Sequence, residues 1–230
     1  MSDTTVTATS IVEARDLTRD FQIGARTLHV LRGIDLSIQP GEFVALRGRS
    51  GSGKTTLLNI LVGLDSPTRG QVSVLGQDLA RLNEARRAAL RRESVGLLFQ
   101  NAHLFPTLTA LENVELALRL QLTRAGERVQ RAREALEVVG LGPRVQHRGL
   151  ELSGGEQQRV ALARAMVHNP RFIIADEPTG NLDSLTAQKI VQLFHSVVQR
   201  TGIGLLVATH DAVVVNVADR VLQINDGRIA

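Results

Sequence analysis

Short apolar runs alternate along the chain with longer segments in which apolar residues recur at helical spacing. The runs are GEFVALR, SVGLLFQ, RFIIADE, IGLLVATH and DRVLQI, and they are apolar at successive positions rather than at every second one. Strands of this kind are buried on both faces, which is typical of a parallel sheet covered by helices. Segments such as TTLLNILVGL and TAQKIVQLFHSVVQR between them have helical spacing. The pattern therefore predicts an α/β fold with a mainly parallel core sheet.

Two regions depart from this alternation. Near the N-terminus, IVEARDL and LHVLRGIDLSI follow each other as strands with partial alternation of polar and apolar residues. Between about Leu108 and Val167 the apolar spacing is helical throughout, and one of these helices is expected to end at Gly140. Near the C-terminus, NDG predicts a hairpin turn. We therefore expect an N-terminal β region and a helical insert within a single domain.

The composition excludes several classes of site. The chain has 230 residues, of which 43% are hydrophobic, enough for one domain with a well-formed core. The aromatic share is 3%, which argues against a stacking platform for single-stranded nucleic acid, and the absence of Cys excludes disulfides and thiolate metal sites. No apolar run approaches the roughly 20 residues that span a bilayer. Because the polar start MSDTTVTATS is also unlike a signal peptide, we expect a soluble, cytoplasmic chain.

The charge distribution excludes fewer functions than the composition does. A net charge of +4 permits contact with nucleic acid or anionic lipid headgroups without requiring either. Almost all of the positive charge is Arg, since Lys54 and Lys189 are the only lysines. We interpret the run RRAALRR, at Arg86–Arg92, as a solvated helix face, with contact to lipid headgroups or to a partner as the alternative.

A phosphate-binding pattern follows one of the apolar strands. The segment GRSGSGKT matches G-x-x-x-x-G-K-[ST] and opens a helix, which is where this pattern binds phosphate. Its glycines let backbone N–H groups face phosphate oxygens, and the helix N-terminus adds partial positive charge. Lys54 would place a compact charge on the β- and γ-phosphates, and Thr55 would offer a hydroxyl to Mg²⁺. The strand–loop–helix context argues against a plain Gly/Ser-rich turn. The residues assigned to this site are Gly48, Arg49, Ser50, Gly51, Ser52, Gly53, Lys54, Thr55 and Thr56.

Polar side chains end three further apolar runs. Asp176 and Glu177 end RFIIADE. Because removing a carboxylate from water costs free energy, two of them at the end of a buried strand indicate a functional role. Asp176 would support Mg²⁺, and Glu177 would act as the general base that polarises the attacking water. His210 and Gln100 end LLVATH and VGLLFQ at the sheet edge where α/β proteins place ligands. His210 could bond the γ-phosphate and Gln100 could touch Mg²⁺, although packing roles are equally compatible with either residue alone.

The segment LSGGEQQR is a second candidate anion site. Ser153 and Glu156 have the spacing of a capping box at a helix start. A capping box does not account for the glycine pair, Gly154 and Gly155, which would allow an anion to approach the backbone closely. The chain therefore carries two phosphate-binding segments about a hundred residues apart.

With these pieces in this order, the chain from about Ile11 onward resembles the ATP-binding subunits of ABC transporters. The resemblance rests on the phosphate loop, on Gln100, on LSGGE at Leu152–Glu156, on RFIIADE, on NLD and on His210. It implies a P-loop NTPase fold with ATP and Mg²⁺ as cofactors. It also implies one domain, 1–230, in which residues 1–99 and 168–230 form a RecA-like core with an N-terminal antiparallel β region. Residues 100–167 would form an inserted helical subdomain.

The same resemblance answers why two phosphate-binding segments are present. In the family two chains pack head to tail, so Ser153, Gly154 and Gly155 of one copy would meet the γ-phosphate held by Lys54 of the other. Asp183 would lie at the seam between the two sites. Neither half-site would be complete in a single chain.

Two further roles come from the resemblance. Phe21, in TRDFQIG, matches the position at which the family stacks adenine on an aromatic ring, usually Tyr, and a core Phe is the alternative. Gln100 would act as the hinge that transmits closure of the dimer through the helical subdomain to a membrane permease. The remaining histidines are interpreted as surface or packing residues: His29, His103, His147, His168 and His195.

The stretches FQNAHLFPTLTALENVEL and ADEPTGNLD resemble one branch of the family, which serves lipoprotein release, macrolide export and cell-division complexes. That branch implies a peripheral position at the cytoplasmic face of the cell membrane, through a permease, and no nucleic-acid partner. The chain departs from the family pattern at Arg49, where Pro is frequent, and at Thr55, where Ser is commoner. The stretch HRGLELSGG also lacks a proline that is often present there.

The resemblance implies an ATPase that drives a permease in export or extraction of a substrate. A regulator of the cell-division type, which signals across the membrane and moves no substrate, is a second hypothesis. A soluble ABC ATPase that acts on DNA or ribosomes is a third. The chain lacks the long coiled-coil insertion, the zinc ligands and the second cassette that the third would suggest.

Overall fold

The computed structural model describes residues 10–121 and 124–229. Within them the strands are β1 (Val12–Ile23), β2 (Arg26–Ile38), β3 (Phe43–Arg47), β4 (Arg69–Val74), β5 (Gln77–Asp78), β6 (Val95–Leu98), β7 (Phe172–Asp176), β8 (Gly204–Thr209), β9 (Arg220–Asn225) and β10 (Arg228–Ile229). The α-helices are α1 (Lys54–Leu61), α2 (Glu84–Ser94), α3 (Ala110–Arg119), α4 (Ala125–Val138), α5 (Gly154–Met166), α6 (Ser184–Thr201) and α7 (Ala212–Val217).

A six-stranded sheet forms the centre of the fold. Its order is β10-β9-β3-β8-β7-β6, and all of its neighbours are parallel except β9 and β10. Successive residues of β3 face opposite sides: Phe43 packs in the same cluster as Phe194 of α6, and Val44 packs in the same cluster as Leu57 of α1. Both faces are therefore covered, which explains the unbroken apolar runs and confirms the predicted mainly parallel core sheet.

The parallel arrangement also determines where the polar residues that follow the strands lie. Strands β3, β6, β7 and β8 run in the same direction, so their carboxyl ends share one edge of the sheet. The segments after these ends contain the phosphate loop, Gln100, Glu177 and His210. Parallel α/β sheets bind ligands at this edge.

The N-terminal strands form a second, antiparallel sheet in the order β2-β1-β4-β5, as predicted. Strand β1 continues to Ile23, well beyond the segment IVEARDL. Its register shifts between Ala14 and Leu17, next to Asp16, whose φ is 46°. A bulge of this kind interrupts the alternation of polar and apolar residues, which is why the sequence pattern predicted too short a strand.

Helices α3, α4 and α5 pack on one another and contribute to the core cluster on one face of the large sheet. Helix α3 begins with a capping box between Thr109 and Glu112. Helix α4 ends at Val138, and Gly140 follows with a φ of 72°, as the predicted end required. The division of the chain at residues 100 and 167 stays a prediction. Among the described residues no helix combines the length and apolar character needed to cross a bilayer.

The arginine-rich run on α2 is partly structural. Arg87 donates to the carbonyls of Leu79 and Leu82, and Arg91 donates to the carbonyl of Gly63 just after α1. Both guanidinium groups thus bond backbone carbonyls near α1 and before α2. The interpretation as a solvated face therefore does not hold for these two side chains.

Candidate functional site

A cavity of about 680 Å³ opens at the carboxyl edge of the large sheet. This volume lies in the range of small-molecule sites. Most residues predicted for the phosphate, metal and catalytic roles line it together. The lining residues are Val30, Ser50, Gly51, Gly53, Lys54, Thr55, Thr56, Phe99, Gln100, Asn101, His103, Asp176, Glu177 and His210.

The phosphate loop between β3 and α1 needs glycine at defined points. A Cβ on Gly48 would lie 2.6 Å from the carbonyl oxygen of Ile224, and Gly53 has a φ of 103°. Gly53 directly precedes α1, so unpaired backbone N–H groups at the helix start lie beside the cavity. Arg49 and Ser52 line an adjacent cavity with Gln223, Asn225 and Asp226 rather than this one.

Lys54 is the buried positive charge of the cavity. Its side chain is 8% exposed, and its Nζ donates to the carbonyls of Gly48, at 2.8 Å, and Arg49, at 3.2 Å. A carboxylate oxygen of Glu177 lies 3.6 Å from the same Nζ. The ammonium group is thus held at the phosphate loop and can interact with an anion there.

Thr55 and Asp176 form the candidate metal site. The Thr55 hydroxyl donates to Asp176 Oδ2 at 2.8 Å, and the side chain of Gln100 lines the same cavity. These are oxygen donors, which suit Mg²⁺. No group of three or more His, Cys, Asp or Glu side chains forms a metal cage within residues 10–121 and 124–229. The donor set fits a Mg²⁺ ion that takes its other ligands from water and phosphate.

Burial raises the pKa of Asp176, and the neighbouring Glu177 charge raises it further, against the lowering effects of the Thr55 hydroxyl and Lys54. The folded chain therefore holds a proton on this carboxyl more tightly than the unfolded chain does. Protonated Asp176 therefore stabilises the fold at pH values below the pKa that Asp176 has in the unfolded chain. This stabilisation is lost as the pH rises through the higher pKa that Asp176 has in the folded chain. At neutral pH the carboxylate lowers stability, which is the arrangement expected when a cation normally neutralises it.

We expect Asp176→Asn to raise the denaturant midpoint of the ligand-free chain at pH 7. The amide keeps the shape and can still accept from Thr55. Urea unfolding at several pH values measures the effect, and the gain should shrink as the pH falls. Asp65→Asn is the contrast, because Asp65 accepts two hydrogen bonds from Arg19 and should lose stability on the same change. A midpoint for Asp176→Asn below that of the wild type would contradict the argument.

Glu177 and His210 meet across neighbouring strands. His210 Nδ1 lies 3.0 Å from Glu177 Oε1, and the His210 backbone N–H donates to Oε2 at 3.3 Å. The Glu177 side chain is 16% exposed and its backbone has a φ of 48°. Non-glycine residues rarely adopt this conformation, and they do so mostly where function requires it. The carboxylate is thus placed in the cavity with its oxygens available to orient a water molecule.

Gln100 lies in a loop that side chains from two other segments hold. Its backbone carbonyl accepts from Gln158 of α5 at 2.7 Å, and its side chain donates to Asn181 at 3.3 Å. Asn181 in turn donates to Asn101 at 2.8 Å. The loop after β6 is therefore linked both to the helix that begins with LSGGE and to the segment that follows Glu177.

The segment LSGGE lies outside this cavity. Ser153 caps α5 in a capping box with Glu156, and Gly154 is exposed. A Cβ on Gly155 would overlap the methyl group of Thr186, so packing against α6 is an intramolecular reason for this glycine. A Cβ on Gly154 would meet Leu182 at an ordinary 3.5 Å. Packing therefore requires the second glycine but not the first.

Asp183 and Phe21 also lie away from the cavity lining. Asp183 caps α6, and hydrogen bonds from Thr186 hold the pKa of its carboxyl below the usual range. Phe21 is half-buried on β1, and the guanidinium of Arg19 lies 4.3 Å from the centre of its ring. Phe21 is therefore not a core residue, and its role toward adenine stays a prediction.

Several lining residues were not singled out from the sequence. They are Val30, Phe99, Asn101 and His103. The last three flank Gln100 in sequence, so the loop after an apolar strand was the available signal. His103 is exposed, which agrees with its interpretation as a surface or packing residue, and its ring contacts that of Phe99 edge to face with 5.5 Å between ring centres. His168 fits a packing role, since burial lowers the pKa of its ring and Val95 contacts it.

Comparisons with known proteins agree with this site. The model of the ABC transporter family matches residues 31–180. The chain is 46% identical over 222 residues to a macrolide export ATP-binding/permease protein, MacB, of Rhodopirellula baltica, covering 96% of this chain but only 32% of that protein. It is also 46% identical over 220 residues to the lipoprotein-releasing system ATP-binding protein LolD of Pseudomonas fluorescens, covering 96% of this chain and 97% of that one.

Solved structures give the same result. The dimeric structure of MJ0796, a bacterial ABC transporter cassette, matches with a TM-score of 0.86 and 40% identity over 95% of this chain and 96% of that one. A dimeric post-hydrolysis state of the same cassette, bound to ADP and Pi, matches with a TM-score of 0.85.

Proposed function

The chain belongs to the ABC transporter family as an ATP-binding and hydrolysing subunit, and from that premise we propose that two copies pack head to tail around two ATP molecules. One observation carries the proposal: the exposed turn at Ser153 and Gly154 does not line the cavity that contains Lys54. A second phosphate-binding segment placed elsewhere is useful if it completes the site of another copy. The dimeric cassette structures support this arrangement, which would use Asp183 at the seam.

Within each site the chain's own residues hold the nucleotide and the water. The backbone of the phosphate loop and the ammonium of Lys54 bind the β- and γ-phosphates. Thr55, Asp176 and Gln100 hold Mg²⁺, which neutralises charge on the phosphate oxygens. Glu177 orients the attacking water and accepts its proton, and His210 contacts Glu177 and the γ-phosphate. The developing charge is thus met by groups that are already in place.

The names of the relatives support a proposal for the partner and the location. MacB is an ATP-binding/permease protein, of which this chain spans about a third, whereas LolD is an ATP-binding protein of similar length. By analogy with these relatives, the chain would work with a permease and be held at the cytoplasmic face of the membrane through it. The pair would use ATP to drive export or extraction of a substrate, and the permease would select that substrate.

The shared site can be tested by mixing two inactive variants. Lys54→Met removes the charge of the phosphate loop, and Gly154→Asp places a negative charge at the exposed turn, where the fold tolerates a side chain. In a mixed dimer, the phosphate loop of the second variant faces the turn of the first, so one of the two sites is intact. Random pairing makes about half of the dimers mixed, so an equal mixture should regain about a quarter of the wild-type rate. A mixture no faster than its separate components would contradict the proposal.

The permease partnership needs a separate experiment. We expect the tagged chain to co-purify from membranes with an integral membrane permease. Reconstitution of the complex in vesicles then distinguishes transport from signalling, since only a transporter releases or extracts substrate when ATP is added. If the chain hydrolysed ATP and no membrane protein co-purified with it, a soluble ABC ATPase would be favoured.

A further inference from the structure

The two residues proposed to act in ATP hydrolysis, Glu177 and His210, lie on two separate loops. Glu177 follows β7 and His210 follows β8, and the two side chains contact each other at 3.0 Å. The His210 side chain is 72% exposed, so packing does not hold it in place. The strained backbone of Glu177, with a φ of 48°, also has to be held by its surroundings. The Glu177 N–H donates to the Ala208 carbonyl at 2.8 Å, which links the start of this loop to β8. A further side-chain contact links the two loops beyond that point.

A partly buried hydrogen bond joins these loops just beyond the two residues. Thr179, two positions after Glu177, is 3% exposed, and its hydroxyl donates to Asp211 Oδ2 at 2.7 Å. Asp211 directly follows His210. Hydrogen bonds from a hydroxyl to a carboxylate are short and stronger than neutral ones. This charge-assisted bond thus adds a side-chain link between the two loops, beyond the bond from the Glu177 N–H to the Ala208 carbonyl.

Asp211 is itself fixed on the side away from Thr179. Its Oδ1 accepts from the Val213 backbone at 2.9 Å and caps α7, and its own N–H donates to the hydroxyl of the fully buried Thr209. Helix α7 is anchored by Val214, which is fully buried in the core. Asp211 is therefore a rigid point to which the Glu177 loop is attached through Thr179.

We propose that Thr179 and Asp211 are positioning residues that hold the Glu177 loop against the His210 loop. The inference rests on the proposed function, in which Glu177 is the general base. Without the bond the carboxylate can shift relative to the attacking water, while the phosphate loop keeps its contacts with the nucleotide. A shift of about 1 Å can cost roughly 100-fold in rate. The defect should therefore appear in kcat and not in the affinity for ATP.

The test compares Thr179→Val with Thr179→Ser in ATP hydrolysis assays. Valine keeps the shape of the side chain and removes the hydroxyl, so kcat should fall roughly 10- to 100-fold, with KM for ATP within about threefold of the wild type. Serine restores the hydroxyl and should recover most of kcat. If kcat depends on the presence of the hydroxyl and not on the volume of the side chain, Thr179 acts through its hydrogen bond, as a positioning residue would.

Thr109→Val is the matched control for lost stability. The Thr109 hydroxyl also donates to a carboxylate, Glu112 Oε2 at 3.0 Å, but it lies at the start of α3 and does not line the cavity. Both valine variants should lower the melting temperature, and only Thr179→Val should lower kcat. Combined with Glu177→Gln, Thr179→Val should cause no further loss of rate, because the carboxylate that it positions is then absent.

If Thr179→Val does not fold, Asp211→Asn supplies the same test, since it keeps the shape and removes the charge from the bond. Its kcat should fall roughly three- to tenfold, with KM for ATP unchanged. Wild-type kcat in both Thr179→Val and Asp211→Asn, or an equal loss in Thr179→Val and Thr179→Ser, would overturn the inference. If Glu177→Gln itself hydrolysed ATP normally, the proposed function would fail instead, so the two failures are distinguishable.

Discussion

Replacing Glu177 by glutamine should lower kcat for ATP hydrolysis at least about 100-fold while leaving ATP affinity within a few-fold of the wild type. The amide has the same shape and can keep the contact with His210, but it cannot accept the proton of the attacking water. The groups proposed for phosphate binding, including Lys54, are unchanged. Hydrolysis is therefore lost without loss of binding, and the ATP-bound form should accumulate.

The accumulated form should be a dimer. If ATP joins two copies and hydrolysis separates them, a variant that binds but does not hydrolyse remains joined. Gel filtration with ATP should show the Glu177→Gln variant at twice the mass that it has with ADP, and the wild type should remain mostly monomeric in both. A variant that binds ATP and stays monomeric at high protein concentration would contradict the shared-site proposal.

Glu42→Gln is the matched control for this change. The Glu42 side chain is also 16% exposed and also contacts a cation, Arg220, at 2.7 Å. It lies just before β3, at the opposite end of that strand from the phosphate loop, so the substitution is chemically identical but remote from the cavity. We expect it to lower stability by about 1 kcal/mol or less and to leave hydrolysis unchanged.

The strands of the large sheet could be predicted from the sequence, because both of their faces are buried. The runs that became β3, β7 and β8 are apolar because helices cover both sides of the sheet, and no other arrangement explains them as simply. The turn at Asp226 and Gly227, with φ values of 45° and 75°, follows from its residue types. Strand β1 could not be predicted in full, because its bulge at Asp16 lies in its pairing with both β2 and β4, which the local pattern of residues does not report.

Those site residues that directly end or follow a single strand could be predicted from the sequence. Lys54, Asp176, Glu177 and His210 each end or follow an apolar run, and parallel strands bring such ends together. The reason for Gly155 could not be predicted, since it depends on the methyl group of Thr186 in another helix.

The residues that support the site were missed for a related reason. Thr179 and Asp211 are 32 positions apart and meet only because β7 and β8 are neighbours. Sequence patterns report the residues that a strand presents at its end. They do not report which side chains bond across two loops, because that depends on the register of the strands.

Lys54→Met should abolish ATP binding and hydrolysis together, in contrast to Glu177→Gln. Lys54 is the buried cation of the cavity. Removing one partner of a buried charge pair typically costs about 2 to 5 kcal/mol, which is roughly 30-fold or more in affinity. Methionine keeps the length of the side chain but leaves the carbonyls of Gly48 and Arg49 without their donor. Titration with a fluorescent ATP analogue measures the affinity directly.

The chain contains its own control for this change. Lys189 is the only other lysine, and it is exposed on α6 away from the cavity. Lys189→Met makes the same chemical change and the same change in net charge, and it should leave ATP affinity unaltered. If the two variants weakened binding equally, the effect would come from overall charge and not from a cation held at the phosphate loop. Because the substitutions are identical, any difference between them measures what the position of Lys54 contributes.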